Sequence, residues 1–379
     1  MSAKLGQLTR RELQVAVLVA DGRSDREVAE KLSITRRTAE WHVEQILAKL
    51  GLKSRSQIAA RVSQAKALGV PLLADNGPRH DLPEKHTAFI GWDPEVSQTH
   101  DLLATTRLLA GLPSRETDSY RQDRVISLAD AGYDPIVVRA LYAVALGKVA
   151  RQYPNTQFAI VDDSSLSADN KNVTSLLFAD HQGSYLVGAI AAQASKTETI
   201  GFVGGVHVPL IEKFQVGYLA GAWMVKPRIR VLSDYLTAPP DFSGFGDPAK
   251  GRAAAGRMYA NGADVVYHAA GGSGDGVFQA AKAAGALAIG VDSDQYLTAP
   301  ADTKASILTS MLKHMDVAVS EYVQARAAKA PFRRVTMFDL ARGGVGYSKS
   351  NPLVRPYVAM TDDLRDQIIA GKITVPDKP

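Results

Sequence analysis

Three short loops carry residue types that suit a polar ligand: GFVGG at 201–205, AGGSGDGV at 270–277 and GVDSDQ at 290–295. Each follows a β-rich run, and their glycines let backbone N–H groups and helix N-termini come close to an anionic or hydroxyl-rich molecule. A glycine turn between strand and helix is also ordinary structure, so the loops alone name no ligand. They fit neither the phosphate-binding P-loop nor the dinucleotide G-x-G-x-x-G pattern with its downstream acid. Asp292 and Asp294 form a D-x-D pair, but no third acid stands nearby, the 8 His are scattered without ligand spacing and Cys is absent. No metal and no cofactor are therefore expected. Asp162, Asp163 and Asp292 lie at strand ends where a catalytic base can sit. No nucleophile or acid/base pair accompanies them, so the pattern is that of a binding protein rather than an enzyme.

The elements that must position these loops alternate along the chain. From about residue 87, TAFIGW is followed by a helical stretch VSQTHDLLATTRLLAG, DPIVV by the helix around YAVALGKVARQY, and QFAIVD by HQGSYLVGAIAAQAS. The alternation continues through TIGFVGG, PLIEKFQVGYLAGAWMV, ADVVYHAAGG, DGVFQAAKAAGA and LAIGVDSD. Strands separated by helices predict parallel sheet, with the loops gathered at the strand carboxyl ends where ligands bind. Residues 87–379 exceed one sheet, so two lobes are expected, about 87–196 with 305–330 and about 197–304 with 331–379.

The N-terminal part has another character. Residues 1–70 hold 13 Lys or Arg against 7 Asp or Glu, whereas the remainder holds 31 against 32. All of the excess positive charge is therefore in the small N-terminal segment, as expected where only that segment meets a polyanion. Thr9 with Glu12 and Ser24 with Glu27 fit capping boxes and predict helices at about 10–20 and 25–32, with Gly22 closing the first. Thr35 caps a third helix whose Ala39, Val43, Ile46, Leu47 and Leu50 recur at helical spacing. Its other face carries Arg37, Glu40, Trp41, Glu44 and Ala48, so it can enter a major groove. A fourth helix follows Ser54, and its Ile58, Val62 and Ala65 form an apolar seam that a dimer contact would use. A connector at 69–86, rich in Pro, Gly and charge, joins this domain (1–68) to the rest.

LTRRELQVAVLVADGRSDREVAEKLSITRRTAEWHVEQILAKLGLKSRSQIAAR resembles the LuxR-type helix-turn-helix over about residues 5–66. The LTxRExxV start, the G-x-S-x-x-E-V-A step, the T-x-x-x-H pair and the K-L-G-x-x-S-R end all fall in register. The resemblance implies a four-helix DNA-binding domain whose third helix lies in the major groove and whose fourth mediates dimerisation. It assigns base reading to Glu40, Trp41 and Glu44, and phosphate contacts to Arg36, Arg37, Lys49 and Arg55. Acids stand where basic or neutral residues are usual in the family; Glu can accept from cytosine N4 and Trp can touch a thymine methyl. Burial against the turn is the structural alternative for Trp41, and His42 is expected to pack and cap locally.

FAIVDDSS, NVTSLLFADHQGSYLVGAIAA, IGFVGG, FQVGYLAGA, FGDPAKG, GADVVYHAAGGSGDGVFQAAK, IGVDSDQ and ILTSMLKHMDVAV resemble the basic membrane protein (BMP) family of substrate-binding proteins over about 124–376. That resemblance implies a two-lobed type I periplasmic-binding-protein fold that closes on a ligand, commonly a purine nucleoside. By matching motif Phe245 would stack on the base, Asp292 would accept from ribose hydroxyls, Lys313 would donate to them, and Gly272 and Gly274 would line the cleft. A core role for Phe245, a turn role for Asp292 and an exposed helix-start role for Lys313 are the alternatives. The family's D-x-G-x-x-D-x-S-F-N loop after the first strand is missing; Trp92 and Asp93 are the nearest residues, and no role is carried onto them.

The class expected is thus α/β, a two-lobed ligand-binding unit behind an all-α four-helix head. The opening MSAKLGQLTRRELQ lacks an export signal's apolar core and cleavage site, no apolar run is long enough to span a membrane, and no Cys could carry a lipid anchor. The functional expectation is a cytoplasmic, homodimeric one-component transcriptional regulator with DNA and a nucleoside-like effector as partners. The alternatives are a solute-binding component of a nucleoside importer and a nucleoside-processing enzyme.

Overall fold

A computed structural model describes residues 8, 10–32, 34–67, 87–92, 106–110 and 117–378. Thr9, the whole 69–86 connector and Asp93 lie outside them, as do the side chains of Ala65 and Trp92. The head has helices α1 (Arg10–Ala20), α2 (Asp25–Leu32), α3 (Arg36–Leu50) and α4 (Arg55–Ala67). Local chemistry sets their ends. Ser24 N–H donates to Glu27 Oε2 at 2.8 Å and Glu27 N–H returns to Ser24 Oγ at 3.4 Å, a reciprocal cap on α2. Thr35 Oγ1 accepts from Thr38 N–H at the start of α3, and Gly51 in the left-handed region (φ 66°) closes it.

Ala39, Val43, Ile46 and Leu50 of α3 are buried in one core with Val15, Val19 and Val28. Ile58 and Val62 of α4 belong to that same core, both 0 % exposed. The Ile58 and Val62 part of the seam expected to serve a dimer is thus spent inside the head, because α4 packs on α1 and α3 and completes their core.

Downstream, the strands are β1 (Thr87–Trp92), β2 (Thr106–Ala110), β3 (Ile136–Arg139), β4 (Phe158–Val161), β5 (Val173–Phe178), β6 (Thr199–Val206), β7 (Arg230–Thr237), β8 (Val265–Ala269), β9 (Leu287–Gly290), β10 (Ile307–Lys313), β11 (Val335–Phe338) and β12 (Val345–Tyr347). The helices among them are α5 (Asp118–Asp130), α6 (Ala143–Gln152), α7 (Asp180–Ala194), α8 (Pro209–Val225), α9 (Pro248–Ala260), α10 (Gly274–Ala284), α11 (Gln295–Thr298), α12 (Ala301–Lys304), α13 (Met315–Ala327) and α14 (Val358–Ile369).

Two six-stranded sheets result, ordered β11-β5-β4-β3-β1-β2 and β12-β10-β9-β8-β6-β7. In the second, β6 to β10 run parallel and β12 pairs antiparallel with β10. Strands such as FAIV (β4) and TIGFVGGV (β6) are buried along their whole length, as in parallel sheets covered on both faces. Helices α7 and α8 touch backbone to backbone: a Cβ added at Gly188 would stand 2.1 Å from Tyr218 O, and one at Gly221 would stand 1.9 Å from Tyr185 O. By contacts the chain divides into two compact units. One holds the head and the strands up to Thr174, the other the residues from Ser175 onward together with Trp92 and Ala110.

Three expectations change. Thr106–Ala110, read as the end of a helix, is the strand β2. β10, within the stretch expected in the first lobe, is in the second sheet, and β11, within the stretch expected in the second lobe, is an edge strand of the first. Periodicity does not encode which sheet a strand joins: β11 pairs with the distant β5, and β10 with its neighbours β9 and β12.

Candidate DNA-reading face and effector site

On α3, Arg36, Arg37, Glu44 and Ala48 are exposed and Glu40 and Trp41 are half-buried. Arg36 Nε donates to Glu40 Oε1 at 2.9 Å across one helical turn. Trp41 meets the His42 ring edge-on at 4.9 Å and the Tyr120 ring of α5 at 6.2 Å, and His42 itself is buried. Two cations assigned to phosphate are engaged inside the head. Lys49 Nζ lies 2.7 Å from both oxygens of the buried Glu12 carboxylate, and Arg55 donates to the Asp25 carboxylate and the Arg23 carbonyl. Their partners lie 37 and 30 residues away, which no local pattern reveals.

The effector residues gather at the carboxyl edge of the second sheet. β6 ends in Gly204-Gly205-Val206, and the half-buried Phe245 ring covers its end. A Cβ on Gly205 would stand 2.5 Å from Phe245 Cδ1, and one on Gly244 would stand 1.9 Å from Gly205 O, so only glycines admit the ring here. The buried Ser273 ties this turn to the loop after β8: its Oγ donates to Gly244 O at 2.7 Å and accepts from Asp247 N–H at 2.8 Å. Asp247 in turn caps α9 by accepting from Lys250 N–H. Gly272 is exposed in that loop, but Gly274 is buried. A Cβ on Gly274 would stand 2.0 Å from His268 Cε1, so this glycine makes room for an imidazole.

Asp292, in the loop after β9, is half-buried and adopts φ 64°, the left-handed region that Asp tolerates better than most side chains. Its carbonyl accepts from Lys313 N–H at 2.9 Å, which fastens the loop to the end of β10. Asp294 turns away, its buried carboxylate accepting from Ser348 Oγ at 2.7 Å and from Ser350 Oγ. Lys313, for which an exposed helix-start role is the alternative in the sequence, ends β10 with its side chain 2 % exposed. Its Nζ stands 3.1 Å from Oδ1 of the equally buried Asp180 at the start of α7, and 5.1 Å and 5.5 Å from the Phe178 and Phe214 ring centres.

Asp180, Phe178 and Phe214 were missed in the sequence, where an acid in a helix's first turn reads simply as a favourable dipole partner. Burial pushes the Tyr267 phenol well above its usual range, and the Asp292 and Asp180 carboxylates add to this. The His268 imidazole is lowered to about 4 by burial, which the nearby Gln295 side chain partly opposes, so it is neutral at pH 7. An aromatic face, a carboxylate and a fixed ammonium at one sheet edge can stack on a flat ring and bind hydroxyl groups. Among the described residues no group of three or more His, Asp or Glu could hold a metal ion, and no helix is long and apolar enough to cross a membrane.

Residues 105–379 match the family of ABC transporter substrate-binding proteins, PnrA-like (Bmp), and residues 6–62 match the bacterial regulatory proteins of the luxR family (GerE). The first match begins beyond the segment where the D-x-G-x-x-D-x-S-F-N loop is missing. The chain is 38% identical over 250 residues to the ABC transporter nucleoside-binding protein BmpA of Lactococcus lactis, covering 62% of this chain and 68% of that one. An ABC transporter solute-binding protein from Aeropyrum pernix has the same fold at TM-score 0.61 and 22% identity, over 76% of this chain and 93% of its own. So does a transcriptional activator of the comK gene from Bacillus halodurans, at TM-score 0.57 and 20% identity, over 76% and 98%. The fold is therefore that of type I periplasmic-binding proteins, preceded by a luxR-type helical head.

Proposed function

From a chain that belongs to the PnrA-like (Bmp) family of ABC transporter substrate-binding proteins and carries a luxR-family regulatory domain, we propose a one-component transcriptional regulator acting in the cytoplasm, with a purine-nucleoside-like effector. The observation that carries this reading is the joining of these two domains in one polypeptide. Phe245 stacks on the base, Asp292 accepts from ribose hydroxyls, and Lys313 donates to them from the position fixed by Asp180. Gly272 borders the ligand. The head docks α3 in a major groove, with Arg36 and Arg37 on phosphates and Glu40, Trp41 and Glu44 facing bases. Lys49 and Arg55 hold the head together. The transcriptional activator from Bacillus halodurans supports the use of this fold in gene control.

Calorimetry of the full chain against adenosine, guanosine and inosine tests the effector. Base–aromatic stacking contributes about 1–3 kcal/mol, so Phe245→Ala should weaken nucleoside binding by about 5- to 150-fold while leaving DNA retention in a gel shift unchanged. Absence of binding to all three nucleosides would remove the effector and leave the DNA reading standing. For DNA, the Arg36→Ala, Arg37→Ala double variant should flatten the slope of log affinity against log salt by about 2; an unchanged slope contradicts the docking face. The stoichiometry of the retained complex reports whether two copies act on half-sites about one helical turn apart. The second reading, a nucleoside receptor for an importer, is favoured by the name of the Lactococcus lactis relative. It gains if nucleosides bind and no duplex is retained at any salt concentration.

A further inference from the structure

The helix proposed to read DNA already has an occupant on one flank. Within one compact unit, Thr38 Oγ1 donates to Asp123 Oδ2 of α5, and Thr35 Oγ1 reaches the same oxygen at 3.4 Å. Thr38 is 3 % exposed and Asp123 7 %. One turn further along α3, the Trp41 and Tyr120 rings meet at 6.2 Å and 89°, and the Arg124 guanidinium lies 5.9 Å from the Tyr120 ring centre. Thr35, Thr38 and Trp41 fall at i, i+3 spacing, so they form one stripe along the N-terminal half of α3. In helix-turn-helix docking that half of the helix enters the groove.

The chemistry of the contact resembles that of the ligand it would displace. A carboxylate accepting from two hydroxyls at a helix N-terminus takes the place of a backbone phosphate, which is held by the same kinds of donor. An aromatic edge against Trp41 takes the place of a base edge. A duplex and α5 cannot both occupy that flank, because the major groove, about 12 Å wide, is filled by the docking helix. We propose that α5 is an intramolecular competitor for DNA, with Asp123 standing in for a phosphate and Tyr120 for a base, so that the chain holds its own reading helix closed. This rests on the DNA-reading function proposed above. Arg36, Arg37 and Glu44 stay exposed, so the cover is partial and a duplex has a foothold from which to displace it. Helix α5 feeds β3, which runs parallel to β1 and β4. The first turns of α5 therefore point to the carboxyl edge of that sheet, the edge at which ligands sit in such folds.

The full chain has no cysteine, which allows a direct test. In a Thr38→Cys, Asp123→Cys variant, oxidation or a short bis-thiol bridge should join α3 to α5 and abolish retention of duplex DNA, and reduction of the disulfide should restore it. Failure to form the bridge, or DNA retention undiminished by it, overturns the proposal. Separately, duplexes are enriched from a random pool on a Tyr120→Ala, Asp123→Ala variant whose folding is checked by circular dichroism. That variant should bind them about 5- to 150-fold more tightly than the unaltered chain; equal affinity overturns the competition. If neither protein enriches any duplex while the bridge still forms, the DNA-reading function falls, not the contact between the helices.

Discussion

The open helix faces of the head and the carboxyl edge of the second sheet keep charges in opposite surroundings. Arg23–Glu27, Arg26–Glu30 and Arg36–Glu40 are one-turn pairs on open helix faces, where such a pair contributes about 0.3–0.5 kcal/mol. Lys313 and Asp180 face each other nearly out of water, 2 % and 1 % exposed. Attraction there is set against a large desolvation cost, and each ion is tolerable because the other neutralises it. The head can therefore exchange an ion-pair partner such as Glu40 for a DNA phosphate at little cost. At the sheet edge the same exchange would strand a buried charge, so Lys313 is held in a fixed place.

The largest test of this contrast removes one member of the buried pair. Asp180→Ala should cost about 3–5 kcal/mol of unfolding free energy, read from urea denaturation, and joint replacement by Asp180→Leu with Lys313→Met should recover most of it. A loss no greater than that of a surface pair would erase the distinction. Acid comes next. The folded His268 titrates at about 4 and the unfolded imidazole near 6.5, so between those values the unfolded chain binds the proton and the folded one does not. Its contribution is complete above pH 6.5 and is lost as pH falls to about 4, in total about 3 kcal/mol. His268→Gln should flatten that part of the stability profile; an unchanged profile would show that other groups set it. Smaller again, Ser24→Ala removes the reciprocal cap of α2 and should cost about 1 kcal/mol, seen as a lowered Tm. Smallest is Arg26→Ala, which breaks an open pair and should stay within about 0.5 kcal/mol in the same measurement.

The same contrast separates what could be read in the sequence from what could not. The head's helices were legible because their signals are local: Ser24 and Glu27, or Thr35 and the first turn of α3, lie within four residues of one another. Phe245, Asp292 and Lys313 were found by motif, and they do reach one sheet edge. What holds them was not legible. Asp180 is 133 residues from Lys313 in the chain and looks like any acid opening a helix. Gly274 looked like a ligand loop because nothing local announces His268 beneath it. Ile58 and Val62 looked like a free seam because helical spacing shows that a face is buried and not which partner buries it. The exchange of β10 and β11 between sheets has a like origin, since strand period does not say which sheet a strand joins: β11 pairs with β5 far up the chain, whereas β10 pairs with its chain neighbours β9 and β12.

The left-handed backbone at Asp292 sets a boundary on what this position can become. Gly and Asn share the aspartate's tolerance for that conformation most readily, so drift at this position runs most easily from an anion to an amide to a bare backbone. A β-branched side chain there would strain the loop that anchors the end of β10. Under the effector reading proposed above, new preferences would therefore come more readily through Phe245 than through Asp292.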